Sequence, residues 1–322
     1  MRVGIDTSPL VQTGAGTARH LRGLLSALET RPGLELRRLA FGGRGRAATI
    51  ARDAAWYPVG MAWAARDLDV LHCVTMRVPV RARPRIVATV HDLAVLRYPD
   101  AFPRWHRHSG RLALRQAVRT ADAIVAVSAF TRDELVDALG VPADRVRVVG
   151  NGVDSVFTPS GGAAAGDYVL AVGTLEPRKN LARAVEAARL AGVDVRVVGA
   201  PGWGGVQVPG WMGRVDDEEL AALYRGARCL VYPSLYEGFG IPILEAMACG
   251  TPVVTSRGGA TEEIAGGAAV LVDPLDVEGI AAGIAEAHDR RVELVPRGIE
   301  QAGIYTWQRA ASDLEALWRD LA

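Results

Sequence analysis

The single lysine of this chain, Lys179, stands next to Arg178, and this pair is the first feature that suggests chemistry. All 36 other basic residues are arginines. A guanidinium group grips two oxygens in a planar fork, whereas an ammonium group is a compact point charge on a flexible stem. Side by side, the two groups suit a diphosphate. The alternative is a chance pair at the solvated start of a helix.

The position of this pair within residues 173–180 favours anion binding. The segment follows the apolar run 168–172, and Asn180 is predicted to cap a helix that begins at Leu181. Two cations beside a helix N-terminus meet the positive end of its dipole, which is unfavourable unless an anion is present. This local conflict therefore indicates a functional site.

A second segment, residues 234–246, places two carboxylates around a predicted helix start. Gly238 and Gly240 tighten the loop, and the following proline suits the first helical position because it has no N–H to lose. Glu237 then lies in the loop and Glu245 in the first turn of the helix. Because carboxylates accept hydrogen bonds from sugar hydroxyls, the segment predicts a grip on a sugar and a ribose around a diphosphate. The alternatives are a solvated loop acid and a first-turn acid favoured by the helix dipole.

Two weaker signals lie in the first half of the chain. Gly14 and Gly16 precede a predicted helix, where small residues let the backbone approach an anion, although Arg19 replaces the third glycine of a dinucleotide fingerprint. His91 and Asp92 follow a predicted strand. In doubly wound α/β folds, ligands bind at the sheet edge where the strands end. A plain turn and a structural histidine are the alternatives. Asp92 either orients His91 or caps the next turn.

No metal site is predicted. Asp67 and Asp69 form an Asp-x-Asp pattern, but they span a helix end and a strand start, whereas a metal site would follow a strand. His106 and His108 are two residues apart, which puts them on different faces of a helix, and no cysteine is near them in the sequence.

Short β-branched runs alternate with longer Ala-, Leu- and Arg-rich runs of helical period. This alternation predicts parallel sheets covered by helices on both faces, and two such halves predict an α/β fold of two doubly wound domains. The predicted strands are 3–6, 34–40, 70–73, 86–90, 123–127, 146–149, 168–172, 193–198, 229–231, 253–255 and 269–272. The predicted helices are 17–28, 106–119, 129–139, 181–191, 216–225, 242–248, 261–264, 277–288 and 307–321.

The Gly- and Ala-rich segment 157–166 has no periodicity and predicts the domain boundary. We place the N-terminal domain at residues 1–157 and the C-terminal domain at residues 158–305. The amphipathic helix in residues 306–322 is expected to pack back on the N-terminal domain.

The net charge of +1 conceals an asymmetry between the two halves. Residues 1–150 contain 23 arginines and 13 acidic residues, whereas residues 151–322 contain 14 basic and 23 acidic residues. The basic half predicts attraction to an anionic acceptor, to an anionic membrane surface or to the acidic half itself. We predict no nucleic-acid partner. Three cysteines in apolar surroundings and the lack of a signal-peptide pattern predict a cytoplasmic location. The predicted location includes peripheral contact with the inner face of the cell membrane.

Residues 54–65 carry two tryptophans, a tyrosine and a methionine, but the stretch is too short to span a bilayer. It could dock on a membrane surface or on an apolar acceptor. A buried helix with its approach loop is the favoured interpretation.

Taken together, these residues resemble the retaining glycosyltransferases of the large family that includes bacterial mannosyltransferases and sucrose synthases. The most specific part is Glu237-x7-Glu245, followed by residues 173–180. Supporting pieces are residues 89–93, 127–131, 151–154 and 257–259. The similarity covers nearly the whole chain.

The resemblance implies the two-domain GT-B fold, with two Rossmann-like domains facing across a cleft. It implies that the second domain binds a nucleotide-diphosphate sugar, GDP- or UDP-linked, and that the first binds a glycan, lipid-linked or small-molecule acceptor. No metal or other cofactor is expected. Arg178 and Lys179 would hold the diphosphate, Glu245 the ribose, and Glu237 the sugar. Further donor contacts implied by the resemblance are Gly14, Gly16, His91, Gly238, Phe239, Gly240 and Ile241.

Three alternatives remain open on sequence grounds. A non-catalytic relative would bind the sugar nucleotide without turnover, and a GT-B-fold epimerase would isomerise it without an acceptor. A dinucleotide oxidoreductase is weakened by the missing third glycine. GDP-mannose is the mildly favoured donor, and cell-surface polysaccharide or glycolipid synthesis is the expected process.

Overall fold

Two parallel sheets organise the computed structural model, which describes residues 1–12, 16–43 and 45–322, and each contains six strands within those ranges. The chain divides into two compact units. Unit 1 comprises Met1–Leu96, Arg104–Gly152 and Trp307–Ala322, and unit 2 comprises Arg97–Pro103 and Val153–Thr306. The predicted α/β fold of two doubly wound domains is thereby confirmed.

The sheet of unit 1 has the strand order β2-β1-β3-β4-β5-β6, and all of its pairs are parallel. Its strands are β1 (Arg2–Asp6), β2 (Glu35–Leu39), β3 (Val70–Cys73), β4 (Arg85–Val90), β5 (Ala123–Ala126) and β6 (Val146–Val148). Each corresponds to a strand predicted from the sequence, because buried β-branched runs between helical segments are typical of parallel sheets.

Helices of unit 1 cover both faces of this sheet. Neighbouring residues of β4 belong to opposite cores: Ile86 packs with α6 and α7, whereas Val87 packs with α2 and the C-terminal helix. The helices are α1 (Ser8–Gln12), α2 (Gly16–Leu28), α3 (Arg46–Ala51), a π-helix (Arg52–Gly60), α4 (Met61–Ala64), α5 (Ala94–Arg97), α6 (Arg104–Thr120) and α7 (Ala129–Leu139).

The sheet of unit 2 has the order β12-β11-β10-β7-β8-β9 and is also wholly parallel. Its strands are β7 (Tyr168–Val172), β8 (Asp194–Val198), β9 (Trp211–Gly213), β10 (Leu230–Tyr232), β11 (Val253–Ser256) and β12 (Val270–Val272). Its helices are α8 (Leu181–Leu190), α9 (Asp217–Gly226), α10 (Ile241–Ala248), α11 (Gly259–Ala265), α12 (Val277–Asp289) and α13 (Arg291–Ile304). The last helix, α14 (Trp307–Leu321), belongs to unit 1.

The structure departs from the predicted elements in several places, and the short helices α1, α3 and α5 are among the elements that were not predicted. Strand β9 was not predicted, since it is three residues long and exposes Trp211 and Met212 at the edge of the sheet. Helix α13 was missed because Pro296 lies inside it. Residues 54–65 are helical as expected and bury Tyr57 and Met61, but the π-helix and α4 leave Val59 66% and Trp63 67% exposed, so the segment is buried on one side alone.

No helix in the described ranges is both long and apolar enough to cross a membrane. The three cysteines are buried free thiols.

Helix α14 packs against α2 because Gly23 leaves room for a tryptophan ring. A Cβ at Gly23 would lie 2.0 Å from Cε2 of Trp307. Trp307 is 6% exposed, and Trp318 on the same helix is fully buried. The absence of a side chain at Gly23 therefore fixes how closely the C-terminal helix approaches the core of unit 1.

Replacing Gly23 by alanine should destabilise unit 1 by about 1–3 kcal/mol, the usual cost of overpacking a core. The measurement is the urea midpoint of unfolding. Gly303→Ala is the matched control, because Gly303 also lies in a helix and a Cβ there would meet no atom within 4 Å. This control should keep or slightly raise the midpoint. A midpoint for Gly23→Ala equal to that of the wild type would contradict the role of this contact.

Candidate active site

The candidate site of unit 2 lies where the strand order of its sheet reverses. From β7 the chain adds β8 and β9 on one side and then returns to add β10, β11 and β12 on the other. Strands β7 and β10 are neighbours, paired at Leu170 and Leu230. The loops that follow them diverge, and ligands of doubly wound folds bind in the resulting crevice. Arg178 and Lys179 follow β7, and Glu237 follows β10.

Arg178, Lys179 and Glu237 form one buried ion cluster. Lys179 Nζ donates to Glu237 Oε1 at 2.7 Å, and Arg178 Nη1 donates to Glu237 Oε2 at 2.9 Å. Arg178 Nη2 also donates to Glu176 Oε1 at 2.7 Å. The hydroxyl of Tyr232 donates to Glu237 Oε1 at 2.8 Å and accepts from Lys179 Nζ at 3.1 Å. The sequence-predicted diphosphate ligands and the predicted sugar ligand are thus in direct contact.

Two opposing effects set the protonation of these carboxyl groups. Burial raises the pKa of Glu237, but the charges of Lys179 and Arg178 outweigh it and lower that pKa to about 2. Burial dominates at Glu176 and raises its pKa despite the Arg178 contact. Burial, together with the charge on Glu237, raises the pKa of Tyr232 well above its usual 10.0. Glu237 is therefore firmly ionised and Tyr232 firmly protonated at neutral pH.

The predicted conflict between two cations and a helix N-terminus does not exist in the structure. Arg178 and Lys179 lie in a short 3₁₀ turn, Pro177–Lys179, before α8 begins. Their charges are balanced by Glu176 and Glu237. Because these carboxylate partners come from the chain itself, the position beside α8 does not by itself require an external anion.

Asn180 does not cap α8 through its side chain. Its backbone adopts the left-handed conformation, with φ 57°, and it is the one non-glycine residue with positive φ in the described ranges. Its Nδ2 donates to the carbonyls of Pro233 at 2.9 Å and Pro274 at 2.7 Å. The predicted cap was wrong because this side chain instead ties the turn to the loops after β10 and β12.

The loop after Glu237 runs through Gly238 and Phe239 into α10. Gly240 has φ 106°, a conformation that favours glycine, and the helix then begins at Ile241. Because the helix starts there, Glu245 is its fifth residue and lies beyond the first turn, so the predicted first-turn position was wrong. Glu245 is 3% exposed, and its Oε2 accepts a hydrogen bond from the Tyr224 hydroxyl at 3.0 Å.

His91 lies in unit 1, at the carboxyl end of β4. Its Nε2 is 2.9 Å from the carbonyl of Val74, and since a carbonyl only accepts, Nε2 carries the proton and Nδ1 is an acceptor. Burial lowers the pKa of His91, so the ring is neutral at neutral pH. Asp92 caps the following turn by accepting from the amide of Ala94 at 3.0 Å.

Gly16, the other predicted contact from the first half, begins α2. Gly14 lies outside the described residues.

The residues of the rejected metal pattern are engaged with arginines. Asp67 forms a bidentate ion pair with Arg37, at 2.8 and 2.9 Å. Asp69 accepts from the backbone N–H of Arg2 at 2.7 Å and from its side chain at 3.2 Å. Within residues 1–12, 16–43 and 45–322, no group of three His, Cys, Asp or Glu side chains is arranged to hold a metal ion.

Sequence reasoning missed two members of the ion cluster, Glu176 and Tyr232. Glu176 is 4% exposed and Tyr232 is 3% exposed. The available signal was position: Glu176 precedes Arg178 by two residues, and Tyr232 is the last residue of the strand that leads to Glu237.

The sequence matches two family descriptions, "Glycosyl transferases group 1" over residues 166–290 and "Glycosyltransferase Family 4" over residues 16–157. O-antigen chain mannosyltransferase B of Escherichia coli is 33% identical over 290 residues, which cover 80% of this chain and 76% of that protein. This chain therefore belongs to the glycosyltransferases of group 1 and family 4. A D-inositol 3-phosphate glycosyltransferase of Geodermatophilus obscurus is 30% identical, with 98% of this chain and 88% of that protein covered.

Solved structures agree with a GT-B glycosyltransferase. Sucrose-phosphate synthase from Thermosynechococcus elongatus superposes with a TM-score of 0.77 at 20% identity, covering 100% of this chain and 99% of that chain. HepE of Anabaena, solved with UDP and glucose, gives a TM-score of 0.74 at 17% identity, covering 99% of each chain. The glycosyltransferase therefore has the expected GT-B fold, and its family favours group transfer over the non-catalytic, epimerase and oxidoreductase alternatives.

Replacing Glu237 by glutamine should destabilise this glycosyltransferase at neutral pH, because Arg178 and Lys179 lose their shared carboxylate. The expected loss is about 3 kcal/mol, near the lower end for removing one partner of a buried ion pair. The pKa of Glu237 falls from 4.5 to about 2 on folding, so its stabilisation is complete above about pH 4.5. The difference between wild type and variant should shrink as the pH falls from about 4.5 through about 2.

Urea unfolding at a series of pH values measures this difference. Glu186→Gln is the matched control, because Glu186 also pairs with an arginine but is exposed on α8. The control should change stability far less. A Glu237→Gln difference that stays constant down to the lowest pH would show that folding does not lower the pKa of this carboxyl group.

Proposed function

We propose that this glycosyltransferase moves a hexose from a nucleotide-diphosphate sugar to an acceptor hydroxyl, with retention of anomeric configuration and without a metal ion. The supporting observation is the Arg178–Lys179 pair, held by Glu237 at the reversal point of the unit 2 sheet. Fixed cations at this position can take the role that a metal ion has in other phosphate-transfer sites.

Lys179 is the residue best placed to meet a phosphate. Two of its three N–H bonds point to Glu237 and Tyr232, and no other described residue accepts the third. Its side chain is 15% exposed, against 10% for Arg178 and 8% for Glu237. The ammonium group thus has one donor left for a ligand, and its orientation is already fixed by the cluster.

The reaction we propose builds charge where this cation lies. Cleavage of the bond between the sugar C1 and the diphosphate oxygen leaves the bonding electrons on the diphosphate. Lys179 and Arg178 would stabilise that charge, helped by the backbone amides where α10 begins at Ile241. Because the cluster holds these donors before the substrate arrives, little reorganisation is needed in the transition state.

The protonation state of Glu237 supports a retaining mechanism in which this residue is not the covalent nucleophile. A carboxylate with a pKa of about 2, hydrogen-bonded by Lys179, Arg178 and Tyr232, is a weak base and a weak nucleophile. Glu237 is better suited to holding the cations and accepting a hydrogen bond from a sugar hydroxyl. The acceptor hydroxyl would then attack from the face of the leaving group and give its proton to the departing diphosphate oxygen, which preserves the configuration at C1.

The remaining donor contacts are assigned by the family resemblance. Glu245 would accept from the ribose, and Gly238, Phe239 and Gly240 would line the sugar. The same resemblance assigns His91, Gly14 and Gly16 to the donor. His91 has the chemistry for this role, because Nδ1 of its neutral ring is an acceptor for a sugar hydroxyl.

Mannose is the favoured sugar, because the Escherichia coli relative and the Mycolicibacterium hassiacum relative are both named mannosyltransferases. The donor base is GDP or UDP, and UDP and UDP-glucose are present in structures of Anabaena HepE. The proposed acceptor is a glycan, a lipid-linked saccharide or a small molecule, in the synthesis of cell-surface polysaccharide or glycolipid at the cytoplasmic side of the membrane.

Lys179→Ala should lower kcat by about a hundredfold or more, the effect of removing one electrostatic donor from a transition state. The measurement is initial rate of sugar transfer, made well below the melting temperature of the variant. Arg189→Ala, which removes an exposed cation from the following helix, is the matched control and should keep the wild-type rate. Lys179→Ala turnover within a few-fold of wild type would rule out the proposed role of the ammonium group.

A thermal-shift panel with GDP, UDP, ADP and their sugar conjugates, all in EDTA, should identify the donor. One nucleotide should raise the melting temperature, since a ligand at a hundred times its Kd adds about 2.7 kcal/mol of stability. Transfer activity should also survive EDTA. Activity lost in EDTA and restored by manganese would replace the metal-independent mechanism, and a flat panel would contradict the assignment of the diphosphate site.

A further inference from the structure

Helix α6 is the most one-sided charged element of unit 1. Its 17 residues, Arg104–Thr120, contain five arginines, two histidines and no acidic residue. Four of the arginines, residues 107, 111, 115 and 119, are spaced four apart, so like charges are neighbours along the helix. Like charges at this spacing destabilise a helix in water. Surroundings that supply negative charge would offset this repulsion between the arginines.

Four of the five arginines of α6 are not neutralised by other side chains of the described residues. Arg104, Arg111, Arg115 and Arg119 have no ion-pair partner in the described parts of the chain. Helix α13 of unit 2 shows the contrast: Glu293 there pairs with both Arg290 and Arg297. The arginines of α6 thus lack the acidic neighbours that those around α13 have.

Large apolar side chains share the outward side of α6 with these arginines. Trp105 and Leu112, two turns apart, are each 52% exposed, while Leu114 and Ala117 on the opposite side are fully buried. We call the outward set the basic face of α6; its members are Arg104, Trp105, Leu112, Arg115 and Arg119. An exposed helix face that mixes Trp, Leu and Arg is typical of helices that lie in a membrane interface.

A second exposed apolar group belongs to the π-helix, to α4 and to the loop after β3. Val59, Trp63 and Val80 are 64–67% exposed, and the amide of Val80 donates to the carbonyl next to Val59, that of Pro58. Leu114 and Ala117 of α6 share one buried cluster with Tyr57 and Met61, so the π-helix and α4 cover the same face of the unit 1 sheet as α6. Arg66 stacks over the ring of Trp63 at 4.3 Å.

We infer that the basic face of α6, together with Val59, Trp63 and Val80, docks this protein on a bilayer that contains anionic lipid. The arginines would meet lipid phosphates, and the apolar side chains would enter the boundary between headgroups and acyl chains. A nucleic acid fits less well, because exposed Leu and Val side chains find no partner on a phosphate backbone. The inference stands on unit 1 alone and does not depend on the proposed donor site.

The test is flotation of the full-length protein with vesicles of phosphatidylcholine, with and without phosphatidylglycerol. The wild type should bind the anionic vesicles and not the neutral ones, and added salt should weaken the binding. The triple variant R104Q/R115Q/R119Q should bind about a hundredfold more weakly, since each basic residue near an anionic surface contributes roughly fivefold. The double variant W105A/L112A should also bind more weakly, and its binding should keep the salt dependence.

The control R189Q/R290Q/R297Q removes the same charge from exposed, acid-paired positions of unit 2 and should bind as the wild type does. Thermal melts check that each variant is folded. The inference is overturned if the wild type ignores anionic vesicles, or if the control weakens binding as much as the α6 variants do. Tighter binding to double-stranded DNA than to the vesicles would also overturn it, in favour of a nucleic-acid surface.

Discussion

The mutual neutralisation of Arg178, Lys179, Glu176 and Glu237 is the interaction on which the candidate site depends. Each of these side chains is at most 15% exposed, and none of them would be stable there with its charge unpaired. Since three of them follow β7 into the turn before α8 and Glu237 follows β10, the pairing holds together two loops that the sheet topology sends in opposite directions. Tyr232 and Asn180 complete the connection through uncharged hydrogen bonds.

The cost of this arrangement appears in the opposite pKa shifts of the two acids. Glu237 receives two cations and is easily ionised, whereas burial dominates at Glu176 and raises its pKa. Arg178 therefore has one partner, Glu237, that ionises easily and another, Glu176, whose ionised form is disfavoured by burial. A buried ion pair contributes little net stability compared with apolar packing, so its value here is the fixed position of the cations. A site that must oppose charge on a leaving group benefits from that fixed position.

The sequence predicted the sheets well because their signal is local. All six strands of unit 1 and five of the six in unit 2 could be recognised from short β-branched runs, whereas β9, with two exposed residues, lacked that signal. The site was predicted only in outline. Arg178, Lys179 and Glu237 were singled out by their types, but their direct pairing and the left-handed Asn180 depend on contacts between residues more than fifty positions apart, which spacing does not reveal.

The two units differ in how far acidic side chains neutralise their cations, in line with the charge asymmetry between the halves of the sequence. At the candidate site of unit 2 the cations are buried and each is matched by a carboxylate. On α6 of unit 1 they are arranged in a ladder with no acid in the helix at all. The first arrangement fixes the position of each charge and leaves little net charge. The second maximises net charge over a wide surface, which suits an extended anionic partner in which the position of any one phosphate is unimportant.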